Sequence, residues 1–380
     1  MKHTTEIQIL YIITKLELGG AQKVCLSLHE GLNQQKATAV LISNNEGVLT
    51  EKVKNKSNVI LLSCLQREAS WRNIFNELHC VWQLIRHIKK LKKIYPHLIV
   101  HTHSTKAGLS GRWAAFFARV KNRIHTVHGY AFHDHQSKLA WFAIYICELL
   151  TSFITTHYVC VSSEDVKTGI KLFPRFAKKH SIIRASVDIK NFIPARLMPF
   201  PENDTFIFGT IACFKPQKNL FDLLQAFNLA YQKHPYIKLE IIGDGIQRPQ
   251  IESWIKTHNL TQRIILHGWQ DSVAPLMLNW HSFVLSSLWE GLPCSIVEAR
   301  LLKLPVLCYN TGGIHDIITH QENGFLYKKG DWQSLAQGML QISQQKKLYT
   351  KFQSYSDNLE DFDSGLMISE HIELYKQLAK

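Results

Sequence analysis

The sequence predicts an α/β protein made of two doubly wound, parallel-sheet halves. Three observations carry that expectation. Short apolar runs alternate with helical periods along most of the 380 residues, which is the pattern of βαβ units. Glycine-bearing turns follow several of the runs, at Gly19-Gly20, Gly129, Gly243-Asp244-Gly245 and Gly312-Gly313. A chain of this length also exceeds what one core ordinarily organises, and Pro194, Pro199 and Pro201 punctuate a polar stretch at mid-chain. The expected layout is a first domain over 1–195, a linker over 196–204 and a second domain over 205–360. A C-terminal helix over 361–380 then packs back on the first domain.

Composition excludes some classes. With 46% hydrophobic and 19% charged residues the chain is an ordinary globular protein, not a disordered one. A formal net charge of +14 favours anionic partners, whether phosphorylated ligands, nucleic acid or an acidic membrane surface. The eight cysteines form no C-x-x-C pair, so a disulfide framework or zinc knuckle is not expected and a reducing cytosol fits. The N-terminal stretch has no signal-peptide pattern, since charges return at Lys15 and Glu17. Leu139 to Val161 has the length of a membrane span, but Glu148 interrupts it. It is expected to be a buried helix to about Phe153, then a strand from Tyr158 to Val161.

In the first half, Ile7–Ile13 is the first parallel strand, and the Gly19-Gly20 turn leads into a helix marked by Val24, Leu28 and Leu32. Glycine there lets backbone approach a ligand, although glycine pairs also end strands for steric reasons. Strands follow at Ala39–Ser43 and Val59–Ser63, then a helix from about Trp71 to Tyr95. Its last turns carry Arg86, Lys89, Lys90, Lys92 and Lys93. That basic segment, 86–93, is either a solvated face complementing the helix dipole or a surface for anionic lipid headgroups. In the strand His97–His103, His101 and His103 share one face; no third ligand is placed for a metal. The strand Ile124–His128 ends in His128-Gly129, apt for a ligand site, and His133 and His135 on the next loop are possible substrate contacts.

In the second half a strand over Phe206–Ile211 is followed by Cys213-Phe214-Lys215-Pro216-Gln217-Lys218-Asn219 and a helix. Lysines on a loop that opens a helix suit phosphate charge. Strands recur at Leu239–Ile242, Ile264–His267 and Pro305–Tyr309, and 331–380 is helical in pattern. Between them lies SLWEGLPCSIVE, Ser287 to Glu298. The strand Phe283–Leu285 runs through Gly291 and Pro293 into a helix, with proline suited to the first helical turn. Glu290 is then on the loop and Glu298 about a turn inside the helix, at the carboxyl end of the sheet where such folds bind ligands. The helix start favours phosphate, so a nucleotide is the economical ligand.

Together these residues resemble the retaining GT-B glycosyltransferases of the glycosyltransferase group 1 family, over nearly the whole chain and most strongly over 205–330. Glu290 and Glu298, with seven residues between them, look like that family's paired-glutamate motif. The resemblance implies a two-domain GT-B fold with an interdomain cleft, the first domain on the acceptor side and the second binding the nucleotide-sugar. It implies that Glu298 holds the donor ribose, that Glu290 lies at the reacting centre with His128, and that Gly19, Gly20, Lys218, Gly291 and Leu292 contact the donor. One departure is Ala212-Cys213-Phe214, where the family usually carries an arginine; Lys215 is the candidate substitute.

The implied function is retaining transfer of a sugar from a nucleotide-sugar, a UDP-sugar by preference, to a lipid-linked or saccharide acceptor in cell-surface polysaccharide biosynthesis. Neither a metal nor another cofactor is expected. The expected location is cytoplasmic, on the inner face of the membrane, held by the basic segment 86–93. Alternatives are a nucleotide-sugar epimerase of similar fold and a basic nucleic-acid-binding protein. No RNP-type aromatic run supports the second, so no nucleic-acid partner is expected.

Overall fold

A computed structural model describes residues 7–35, 37–66, 74–132, 136–193, 196–202 and 204–379, with the Ile74 side chain left aside. The chain forms two compact units, Met1–Ser186 with Ser364–Lys380, and Val187–Asp363.

The first unit is a seven-stranded sheet in the order β3-β2-β1-β4-β5-β6-β7. Its strands are β1 (Gln8–Ile12), β2 (Thr38–Ser43), β3 (Val59–Leu61), β4 (Ile99–His103), β5 (Asn122–Val127), β6 (His157–Cys160) and β7 (His180–Ile182). Every pairing is parallel, and the central strands are buried along their length, as a sheet covered on both faces requires. The connecting helices are α1 (Gly20–Gln34), α2 (Ile74–Ile94), α3 (Thr105–Phe117), α4 (Lys138–Ile154) and α5 (Ser163–Leu172). The terminal helix α12 (Ser364–Ala379) packs on α1, where Gly31 leaves room for Ile368: a Cβ there would lie 2.4 Å from Ile368 Cδ1. Below it, Tyr375 Oη meets Tyr11 Oη on β1 at 2.9 Å.

The second unit is a six-stranded parallel sheet, β10-β9-β8-β11-β12-β13. It comprises β8 (Phe206–Ile211), β9 (Ile237–Ile242), β10 (Ile264–Gly268), β11 (Ser282–Leu285), β12 (Val306–Tyr309) and β13 (Gly324–Tyr327). Its helices are α6 (Leu220–Lys233), α7 (Arg248–Thr257), α8 (Ala274–Met277), α9 (Cys294–Leu301), α10 (Trp332–Gln344) and α11 (Lys346–Ser354). One core of phenylalanines and branched aliphatics joins α6, α10 and α11 to the sheet. Trp280 lies flat on β8, where only a glycine fits; a Cβ on Gly209 would sit 1.9 Å from its ring.

Three features differ from the sequence expectation. The contact boundary lies at Ser186/Val187, ahead of 196–204. Val187 N donates to Phe362 O at 2.9 Å, and Met198 O accepts from Tyr349 Oη and Gln353 Nε2 at 2.8 and 2.7 Å. Met198, in the described part of that stretch, is therefore tied to the second unit and is not part of a free tether. Strand β7, three residues long, is too short to register as a period. Helix α4, expected to be buried, instead exposes Leu139, Phe142, Leu150 and Phe153.

Candidate functional site

Each sheet reverses its strand order once, and ligands of such sheets bind beyond the carboxyl ends at that point. In the second unit the reversal falls between β8 and β11. The loops leaving those strands carry Lys215 and Lys218 on one side and Glu290 on the other. Lys218 Nζ lies 2.5 Å from Glu290 Oε1, with both side chains largely shielded (16% and 9% exposed). A short charge-assisted bond of this kind fixes both partners.

The backbone of these two loops is laced together. Ser286 Oγ is 2.9 Å from the carbonyls of both Lys218 and Asn219. Leu288 N donates to Gln217 O at 2.9 Å, and Gln217 Nε2 donates to Trp289 O at 2.8 Å. Lys215 opens the single 3-10 turn Pro216–Lys218, and Asn219, at φ 46°, both closes that turn and starts α6. Cys213, half-buried and in no disulfide, lies just before it. A third loop, after β12, closes on Glu290. Gly312 adopts φ +55° and a Cβ there would lie 2.0 Å from Glu290 O. Gly313 N donates to Gly291 O at 2.6 Å, and Thr311 Oγ1 to Leu288 O at 3.2 Å.

Gly291 and Leu292 are buried; the glycine carbonyl is engaged in that clamp and Leu292 is a packing residue. Pro293 occupies the N-cap of α9 and not its first turn. Glu298 lies in α9, 9% exposed. The helix is anchored from behind by Arg300, fully buried, whose Nη2 meets Asp357 Oδ2 at 2.8 Å. Burial pushes the Asp357 carboxyl up, but the Arg300 hydrogen bond and charge outweigh it and leave it below its usual value.

In the first unit the reversal lies between β1 and β4. Gly19 is the N-cap of α1 with extended backbone, φ −156°. A Cβ there would lie 2.6 Å from Gln22 Oε1, the movable end of a flexible side chain, so neither the backbone nor fixed neighbours demand glycine. Gly20 is the first residue of α1. Across the reversal Thr14 Oγ1 and Ser104 Oγ are 2.6 Å apart, and Ser104 holds a left-handed φ of 63°. Strain of that kind persists where its surroundings over-determine it.

His128 follows β5, half-buried, with Nε2 3.0 Å from His103 Nδ1. His103 stacks in turn on His101 at 4.6 Å between centroids. Burial, with the nearby His371, lowers the His128 pKa to about 3, and burial also holds His103 well below its usual value. Both rings are neutral at neutral pH, and the bond between them is one between uncharged imidazoles. His133 and His135 lie outside the described residues. Among the described residues no group of three or more His, Cys, Asp or Glu side chains is placed to hold a metal ion.

Of the basic segment on α2, Arg86, Lys89, Lys90 and Lys93 are exposed, and Lys92 Nζ donates to Arg119 O at 2.5 Å. No helix among the described residues is long and apolar enough to cross a membrane. Gln217, Ser286, the Thr14–Ser104 contact and the Arg300–Asp357 pair were not singled out from sequence; His103 was, but only as one of two histidines on a strand face and not as the partner of His128.

The family model described as "Glycosyl transferases group 1" matches residues 199–359, and "Glycosyltransferase Family 4" matches 18–191. Among curated relatives, an Escherichia coli UDP-Gal:alpha-D-GlcNAc-diphosphoundecaprenol alpha-1,3-galactosyltransferase is 29% identical over 92% of this chain and 91% of its own. The capsular polysaccharide biosynthesis glycosyltransferase CapM of Staphylococcus aureus is 26% identical over 70% and 71%. Among solved structures, Anabaena HepE in complex with UDP and glucose superposes with a TM-score of 0.79 at 18% identity, covering 97% of this chain and 99% of that one.

Proposed function

The chain belongs to the group 1 glycosyltransferases with GT-B architecture, and on that premise we propose that it transfers a sugar, with retention, from a UDP-sugar to a lipid-linked or saccharide acceptor in cell-surface polysaccharide biosynthesis. The observation that carries the donor side is the Lys218–Glu290 pair, 2.5 Å apart at the strand-order reversal, with Glu298 on the adjoining helix. The acceptor class is supported by the E. coli relative, whose name gives a diphosphoundecaprenol-linked sugar.

In this reading Glu298 accepts hydrogen bonds from the donor ribose. Lys218, with Lys215 in place of the usual arginine, offsets the charge that grows on the departing diphosphate, so no metal is required. Glu290 and neutral His128 position the sugar, while the donor approaches the backbone at Gly19-Gly20 and near Gly291-Leu292. The acceptor attacks the face the diphosphate leaves, with His133 and His135 proposed as its contacts. Nothing in this scheme needs a covalent intermediate. The basic segment 86–93 holds the enzyme at the inner face of the cytoplasmic membrane.

A thermal-shift screen against UDP-, GDP-, ADP- and CMP-sugars tests the donor. Ligand at 100 times its Kd adds roughly 2.7 kcal/mol, so the matching nucleotide stands out. Glu298→Ala should abolish the shift and the transfer while the protein stays folded; an unchanged response would remove the paired-glutamate reading.

A further inference from the structure

Helices α2, α3 and α4 form one outer layer of the first unit. Their crossovers, β3 to β4, β4 to β5 and β5 to β6, all step the same way across the sheet, which puts right-handed connections on one face. Side chains bind the layer together: Lys106 Nζ meets Glu77 Oε1 at 2.5 Å between α3 and α2, and Trp113 Nε1 donates to Thr151 Oγ1 at 2.9 Å between α3 and α4.

The outside of this layer is apolar where a soluble surface is ordinarily charged. On α4, Leu139, Phe142, Leu150 and Phe153 are 80%, 56%, 54% and 61% exposed. With the half-buried Ile146 they recur at helical spacing along one face. The acid of that helix, Glu148, points away from this stripe and is spent on the buried Arg112 at 2.8 Å. Phe116 and Phe117 of α3 and Leu78 and Trp82 of α2 extend the exposed apolar surface. Beside it stand the exposed cations Arg86, Lys89, Lys90 and Lys93, and no carboxylate occurs between Arg86 and Ile94.

We propose that this three-helix face is a membrane-docking surface, with the α4 stripe lying in the plane of an anionic leaflet and its phenylalanines among the acyl chains. An apolar stripe flanked by cations and poor in acids is what an interfacial helix presents to such a leaflet. A second copy of the chain fits less well, because it would set these cations against one another. The inference deepens the peripheral location proposed above and rests on it, but it assigns the lasting part of the binding to α4 rather than to 86–93.

Vesicle sedimentation separates the two parts. Protein is mixed with phosphatidylglycerol-rich or pure phosphatidylcholine vesicles at low salt and at ~0.5 M salt, where screening falls to roughly 4 Å. Wild type should bind the anionic vesicles and retain a salt-resistant fraction. Phe142→Asp/Phe153→Asp should weaken partitioning at least about tenfold at both salts, and the milder Leu139→Ser/Leu150→Ser should weaken it less. Lys89→Glu/Lys90→Glu should lose only the low-salt component. Unaltered binding by the phenylalanine pair, or complete release of wild type by salt, overturns the proposal. So does a wild-type dimer, seen by light scattering, that the phenylalanine pair dissolves while vesicles bind neither. The UDP-sugar thermal shift, read without vesicles, confirms folding of each variant and reports separately on the donor site.

Discussion

Mild acid should unravel the first unit before the second. His101, His103, His125 and His371 are all buried there. Burial holds the first three well below their usual value and takes His371 to about 4. The charged groups that act on them are cationic: other rings of the cluster when protonated, and Arg112 beside His125. In the unfolded chain each titrates near 6.5. Between the folded and unfolded values the unfolded state binds more protons, so stability is full above about pH 6.5 and falls as pH drops below it. From pH 6.5 to 5.5 each ring costs about 1 kcal/mol, and the four together about 4 kcal/mol. That is a large share of the ~5–15 kcal/mol available to a domain, in a pH range where most carboxylates remain ionised. Hydrogen exchange read separately on β4–β5 and β8–β9, corrected for intrinsic rates, measures it. Protection in β4–β5 should collapse by pH 5.5 well ahead of β8–β9, where His281 is a comparably buried ring. Equal loss in both units, or less than ~1 kcal/mol in the first, would refute the reasoning.

Two substitutions probe the second unit. Asp357→Ala leaves Arg300 buried without its carboxylate and should cost roughly 3–5 kcal/mol, seen as a lowered urea midpoint. Asp357→Asn, which keeps an acceptor, should recover part of it. Gly312→Ala combines a left-handed φ with a Cβ 2.0 Å from Glu290 O; it should displace the glutamate loop and weaken UDP-sugar binding by at least about tenfold in calorimetry.

Much of this was legible in the sequence because it is local. The β11-to-α9 passage announces itself through an apolar run, Gly291 and Pro293, and the succession of strands through alternation alone. Side-chain meetings are another matter. Lys218 and Glu290 are 72 positions apart, and no periodicity encodes that β8 and β11 are neighbours in the sheet. His103 and His128 meet only because β4 pairs with β5. The exposure of α4 was hidden for a related reason: hydropathy marks a helix as apolar but does not say which neighbours cover it. Arg300 lies in the short, largely buried helix α9, where no pattern marks its charge as paired, and its partner Asp357 comes from a polar segment beyond α11.

Asn219 carries a consequence of its own. The turn bearing Lys218 ends at the residue where α6 begins, so the ammonium group is founded on that helix as well as on the Ser286 and Glu290 contacts. Leu223, Leu224 and Phe227 of α6 share a core with Leu335 and Met339 of α10. Drift in that distant packing is transmitted along a rigid rod to the charge at its tip. Sequence change in this core is therefore coupled to the proposed donor site: repacking that preserves volume but tilts α6 re-aims the lysine. Loss of affinity can thus arise from positions that touch no ligand.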